Sequence, residues 1–249
     1  MTLITHISDI HFGSSSFDED MFLKFVDEIN DSKTDLIVLT GDLTDNGYYK
    51  SYLGVKEYLK LFKHPILCVP GNHDSRNVGY KTFEEEIGDR NWANKIIDNN
   101  TNKILLLGLD STEPDLDTGR IGRSQQKWVE ETLCSHFTEN FFSIIALHHH
   151  VLPVPNTGRE RNELLDCGDV LKSLVDHDVN LVIYGHRHVP YSWKLEETLF
   201  VSAGSISSNK LRGKILNSYN TYEITKDKVE IILNQSDDSK IVLGNFDRD

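Results

Sequence analysis

Leu36-Ile37-Val38-Leu39-Thr40-Gly41-Asp42 sets four consecutive apolar residues against a threonine, a glycine and an aspartate. An apolar run this short, bounded by turn residues, suits a buried strand, and Gly41-Asp42 marks where it stops. The same unit recurs on both sides. Upstream, Leu3 to Ile7 reads as a strand that gives way to Ser8-Asp9-Ile10-His11; downstream, Pro65 to Val69 gives way to Gly71-Asn72-His73-Asp74. Between these runs, Met21, Phe22, Phe25, Val26 and Ile29 share one helical face, and Tyr52, Val55, Leu59 and Phe62 share another. The order is βαβαβ, which predicts parallel strands covered by helices.

Further along, the pattern loosens. The acidic, Asn-rich stretch from Ser75 to Asn102 reads as irregular, with a short helix near Thr82 to Ile87, before an apolar strand at Ile104 to Leu109. Ser124 is placed to cap a helix bearing Trp128, Val129 and Leu133. A strand from Phe141 to Leu147 runs into His148-His149-His150, and a Pro-rich loop follows from Pro153 to Asn162. A last helix carries Val170, Leu171, Leu174 and Val175, and the strand Leu181 to Tyr184 ends at Gly185-His186-Arg187-His188. From Tyr191 onward the chain reads as a β meander, with strands near Leu199 to Ala203, Tyr219 to Ile224 and Val229 to Leu233. These are expected to form a second sheet packed on the first. With no internal repeat and no linker, residues 1–249 are expected to form a single domain.

Composition removes several function classes. Apolar residues make up 38% and charged residues 26%, close to globular averages, so disorder and fibrous folds are excluded. No apolar run approaches the roughly 18 residues that span a bilayer, so no membrane partner is expected. The net charge of −13 repels polyanions, which makes nucleic acid an unfavoured partner. Cys68, Cys134 and Cys167 are odd in number and widely spaced, and the N-terminus lacks a basic and apolar leader pattern; both point to a cytoplasmic protein.

Five apolar strands each end in side chains able to bind a metal: Asp9 and His11, Asp42, Asn72 with His73, His148, and His186 with His188. Ligand sites of α/β sheets lie beyond the carboxyl ends of the strands, so these clusters are expected to converge. Taken singly they are weaker. Asp-x-His and Gly-Asp are common at strand ends, whereas Gly-Asn-His-Asp is a poor recipe for a merely stable loop.

The series Asp-x-His, Gly-Asp, Gly-Asn-His-Asp, His and Gly-His-x-His, in that order, closely resembles the calcineurin-like metallophosphoesterase superfamily, with every ligand position filled. The segment Gly119-Arg120-Ile121-Gly122, with Gln126 and Trp128, looks like that family's approach to its penultimate helix. Within the superfamily, the motifs in so compact a chain most resemble the class III cyclic-nucleotide and related phosphodiesterases. The resemblance implies a four-layer α-β-β-α sandwich, two mixed sheets flanked by helices. It further implies that Asp9, His11 and His188 hold one metal, that Asn72, His148 and His186 hold another, and that Asp42 bridges both. His73 then matches the family's non-ligand catalytic histidine, which stabilises phosphate oxygens or protonates the leaving group, and Asp74 is expected to orient its ring.

The chemistry implied agrees with elementary principles. Two divalent cations roughly 3.5–4 Å apart acidify a shared water, whose hydroxide attacks phosphorus in line. A mixed N/O ligand set without thiolate suits Mn or Fe, with Zn, Co or Ni as alternatives. Of the three consecutive histidines, His148 leaves the strand directly and is taken as the ligand. His149 is left as a ligand-supporting or substrate-contacting group, His150 as a surface residue, and Arg159 and Arg161 as phosphate-reaching or merely solvated. His6, His64, His136 and His177 read as structural or surface groups.

The expected function is a dinuclear phosphodiesterase acting on a small diester, a cyclic nucleotide or a glycerophosphodiester, through a metal-bridging hydroxide. The alternative is a phosphomonoesterase or nucleotide phosphatase using the same centre. A nuclease is disfavoured by the charge, and a non-enzymatic scaffold by the complete ligand set. The oligomeric state is not legible.

Overall fold

The structure is a computed structural model that describes residues 1–98, 102–136, 141–158 and 164–248. The first third of the chain alternates as its apolar runs predict: β1 (Thr2–Ile7), α1 (Glu19–Asp31), β2 (Leu36–Thr40), α2 (Tyr49–Leu59) and β3 (Ile66–Val69). β1, β2 and β3 are parallel neighbours. Because Leu36 and Val38 face one side of β2 while Ile37 and Leu39 face the other, both faces of this sheet are buried, as in a parallel sheet covered on both sides. α1 starts where Asp18 accepts a hydrogen bond from the Met21 backbone, leaving Phe22, Phe25, Val26 and Ile29 to pack on the sheet.

The middle of the chain holds α3 (Gly79–Glu86), β4 (Trp92–Asp98), β5 (Asn102–Gly108), α4 (Gly122–His136), β6 (Phe142–Ala146), α5 (Cys167–Asp176) and β7 (Leu181–Tyr184). β8 (Tyr191–Leu195), β9 (Thr198–Ser202), β10 (Ser218–Ile224), β11 (Lys228–Gln235) and β12 (Lys240–Asp247) complete it. The strands form two mixed sheets of six, ordered β12-β11-β10-β1-β2-β3 and β4-β5-β6-β7-β9-β8. Ile4, Leu36 and Val38 of one sheet meet Leu106, Ile144 and Ile183 of the other in the central core. α1 and α2 cover the first sheet, while α4 and α5 place Val129, Val170 and Leu174 on the second. The result is the expected α-β-β-α order of layers.

Three local expectations change. The strands after Tyr191 do not make a sheet of their own: β8 and β9 extend the second sheet, while β10 pairs antiparallel with β1 and carries β11 and β12 into the first. Ser124 does not cap α4, which already starts at Gly122; the cap comes from Asp166, whose carboxylate accepts from the Ile121 and Gly122 backbone at 3.2 and 2.8 Å. The stretch read as irregular contains β4, whose Trp92 and Ile96 pack on the central core from polar surroundings. Among the described residues no helix is long and apolar enough to cross a membrane.

Candidate metal centre

The carboxyl ends of β1, β2, β3 and β7 open onto one cleft, and the end of β6 brings buried His148 against it beside Asp42 and His186. Five of the seven candidate ligands there, Asp9, His11, Asp42, His186 and His188, have φ between 52° and 72°. Non-glycine residues reach this left-handed region only at a cost, and such strain concentrates at functional sites. The glycines keep the backbones close. A Cβ on Gly41 would lie 2.6 Å from the Gly71 nitrogen and 2.7 Å from Nδ1 of His148, and one on Gly71 would lie 2.2 Å from Oδ1 of Asp42.

Two groups of side chains face each other across Asp42. On one side, Nε2 of His188 is 3.3 Å from Oδ1 of Asp9 and 3.0 Å from Nε2 of His11. On the other, Oδ1 of Asn72 is 3.0 Å from both Nε2 of His148 and Nδ1 of His186. Oδ2 of Asp42 lies between, 3.6 Å from Nε2 of His11 and 3.5 Å from Nε2 of His148. Its Oδ1 accepts the His73 backbone N–H at 2.9 Å. The expected side chains thus lie together, and His73 also falls within reach of His11 and Asp42.

These atoms are short of donors, which tests whether a cation fits. Nδ1 of His148 donates to the Thr40 carbonyl at 2.7 Å, so Nε2 faces Asn72 and, whenever the ring is neutral, turns a lone pair toward it. Asn72 in turn donates its Nδ2 to Asp117 at 3.2 Å, so its carbonyl oxygen faces that lone pair. Nδ1 of His188 donates to the Lys210 carbonyl at 3.1 Å, leaving Nε2 as a lone pair toward Asp9, whose buried Oδ1 has no hydrogen bond. Converging buried acceptors are costly unless a positive charge joins them. The titration behaviour agrees. Burial opposes protonation of His148, yet Asp42 and Asp9 push it up to about 9, and Asp9 likewise raises His188 against its burial. A divalent cation supplies the same charge, and the set of imidazoles, carboxylates and one amide suits it.

His73 stands at the cleft wall, its ring edge-on to His11 with centroids 4.7 Å apart. Its Nδ1 donates to the Asp45 carbonyl at 2.7 Å, which leaves Nε2 for the cleft. Nη1 of Arg76 is 3.0 Å from the same Nδ1, but a nitrogen already donating to a carbonyl cannot also accept. Asp74 does not orient His73, contrary to expectation. Its carboxylate accepts from the backbones of Gly71, Leu43 and Thr44 at 3.0, 3.0 and 2.8 Å and from the Thr44 hydroxyl at 3.0 Å, pinning the β2 and β3 loops together.

His149 is fully buried, bonded to Ser111 at 2.8 Å and near the Asp117 carbonyl, so it backs the centre. His150 is not a surface residue: it is 1% exposed and stacks on His186. Arg159 and Arg161 lie outside the described residues. His6 is structural, bonded to Tyr222 and Thr40 in the core. Sequence reasoning missed Asp117, Lys210 and Arg212, all of which line the cleft. They sit in loops with no strand-end motif, and only the pairing of β10 with β1 folds the loop bearing Lys210 and Arg212 over His188.

The family model for calcineurin-like phosphoesterases matches residues 2–190, and the chain belongs to that family of phosphoester hydrolases. It is 23% identical over 198 residues to a probable cyclic nucleotide phosphodiesterase of Vesicomyosocius okutanii, covering 77% of this chain and 80% of that one. It is 28% identical over 174 residues to the 3',5'-cyclic adenosine monophosphate phosphodiesterase CpdA of Haemophilus influenzae, covering 67% of this chain and 58% of that one. Among solved structures, a dimetal phosphatase from Danio rerio superposes with a TM-score of 0.74 at 14% identity, covering 97% of this chain and 98% of that one; this likeness is one of fold.

Proposed function

We propose that the protein is a two-metal phosphodiesterase acting on a small diester, of the cyclic-nucleotide or glycerophosphodiester kind. The observation that carries this reading is the place of Asp42, whose Oδ2 stands nearly equidistant from His11 and His148, at 3.6 and 3.5 Å. One carboxylate between two donor groups is the arrangement a bridged metal pair requires. Asp9, His11 and His188 would hold one ion, and Asn72, His148 and His186 the other, Mn or Fe by ligand chemistry. Such a pair supplies Lewis acidity and an activated hydroxide at neutral pH.

The chain's own residues do the rest. Asp42 sets the spacing of the two groups, and the backbone hydrogen bonds of His148 and His188 fix which ring nitrogen faces the centre. His73, with Nδ1 donating to the Asp45 carbonyl, would as an imidazolium direct its Nε2–H to a phosphate oxygen or deliver that proton to the departing alkoxide, leaving a neutral ring. The relatives named as cyclic nucleotide phosphodiesterases support the diester preference. We read residues 1–249 as one domain, since β10 to β12 complete the sheet that β1 begins. Three free cysteines support a cytoplasmic location.

The test is the ratio of rates on bis(p-nitrophenyl) phosphate and p-nitrophenyl phosphate, on protein loaded with Mn²⁺. A strong preference for the diester is expected. Preference for the monoester would overturn the reading in favour of a phosphatase using the same centre.

A further inference from the structure

One wall of the cleft is basic. Lys210 and Arg212, from the loop between β9 and β10, line it together with Arg187. In a chain of net charge −13, several other cations pair with carboxylates. Across the cleft, Arg76 is bound to Asp117 at 2.6 Å; elsewhere Lys56 pairs with Glu86, and Arg90 with Glu84 and Asp110. Arg187 is buried and donates to the Thr157 carbonyl at 2.6 Å. Lys210 and Arg212 are exposed, and among the described residues no carboxylate lies within ion-pair distance of either.

Their distance from the centre decides what they can bind. The Lys210 carbonyl meets Nδ1 of His188, while Nε2 of that ring faces Asp9 and His11, so the Lys210 backbone stands behind that ring and its exposed side chain lines the cleft beside it. Arg212 is anchored by Nε on the Arg187 carbonyl at 3.4 Å, which leaves its two terminal nitrogens free for a bidentate acceptor. Asp9, Asp42 and Asn72 are buried while Lys210 and Arg212 are exposed, so a phosphoryl group held at the centre lies deeper in the cleft than these cations, which face what the substrate extends outward from it.

We infer that Lys210 and Arg212 form a second anion subsite, and that the substrate is a phosphodiester whose alcohol carries a further phosphate. The inference rests on the phosphodiesterase reading above and narrows it. A guanidinium and an ammonium acting on one phosphate at the mouth of a cleft strengthen binding by about tenfold or more, and salt weakens the effect.

The experiment compares two chromogenic diesters on the Mn²⁺-loaded protein: the p-nitrophenyl ester of thymidine 5'-phosphate, and the same ester bearing a 3'-phosphate. The expected result is a KM about tenfold lower for the second, a preference that shrinks at high salt and disappears in the Lys210→Ala/Arg212→Ala double variant. Equal KM values in the wild type, or an equal loss on both esters in the variant, would overturn the subsite. Calorimetry with thymidine 3',5'-bisphosphate and thymidine 5'-monophosphate supplies a readout independent of turnover. Tighter binding of the bisphosphate, lost in the variant, supports the subsite; a ratio near one overturns it. Cleavage of neither ester would instead overturn the phosphodiesterase reading, with the binding ratio still deciding the subsite.

Discussion

Nδ2 of Asn72 donates to Oδ1 of Asp117 at 3.2 Å, and this contact fixes which end of the Asn72 carboxamide faces His148 and His186. Partners behind a ligand commonly change metal affinity by about 10–100-fold. Asp117→Ala is therefore expected to weaken Mn²⁺ binding by about that factor, read by calorimetry on metal-free protein. Asp117→Asn, which retains an acceptor oxygen, should recover most of the loss. Unchanged affinity in the alanine variant would remove Asp117 from the site.

Asp42→Asn keeps an oxygen for the His73 backbone N–H but removes the charge between the two ligand groups. Metal content should fall from two ions to one or fewer, and turnover by at least about 10²–10³-fold, while the metal-free protein melts within a few degrees of wild type. A loss of only a few-fold would sink the bridging role.

His73→Gln removes a ring that is held only by its bond to the Asp45 carbonyl and by neighbouring groups at the wall. A loss of about 10²–10⁴ in kcat is expected, steeper for poor leaving groups such as alkyl alcohols than for p-nitrophenol. A loss independent of the leaving group would assign His73 to phosphate binding and not to proton delivery.

Asp74 has a structural task that Asp74→Ala isolates. The backbone N–H groups of Gly71, Leu43 and Thr44 would lose their acceptor in a buried place. We expect a loss of stability on the order of 3 kcal/mol or more in urea unfolding of the metal-free protein. Stability within experimental error of wild type would contradict the pinning of these loops.

Buried His6, behind the candidate ligands and not one of them, gives a further pH signature. Burial lowers its pKa to about 3, partly opposed by Asp9, against 6.5 for the unfolded chain. The unfolded state then binds the proton first, so the stability His6 contributes is complete above pH 6.5 and is lost as pH falls toward 3. Between pH 7 and 5 the metal-free wild type should lose about 2 kcal/mol more than His6→Gln. His149 and His150, lowered to about 3 and 4 chiefly by burial, act with the same sign in both proteins and cancel. Parallel pH profiles would show that His6 is not buried as a neutral group.

The layers and the candidate ligands were legible because both rest on local signals. Apolar runs such as Leu36 to Leu39 specify buried strands, and the polar residues at their ends have few physical reasons to recur together. What escaped depends on partners far away in sequence. Asp166 caps a helix that begins 44 positions earlier. Trp92 and Ile96 give β4 its inward face while polar residues hide its alternation. Asp74 looked like a partner for the adjacent His73, yet its bonds run to Leu43 and Thr44, about 30 positions upstream. Lys210 and Arg212 acquired meaning only when β10 returned to β1 and laid their loop against His188.

Asp9, Asp42 and Asn72 hang from one sheet of the sandwich, and His148, His186 and His188 from the other. Apolar packing holds the sheets together without dictating how they slide, because hydrophobic contact has no preferred direction. Ions seated among both sets of side chains would act as a rivet through the two layers. Alignment of the halves and spacing of the reacting groups would then be set at one point, so a slip of either sheet would register first as a change in chemistry.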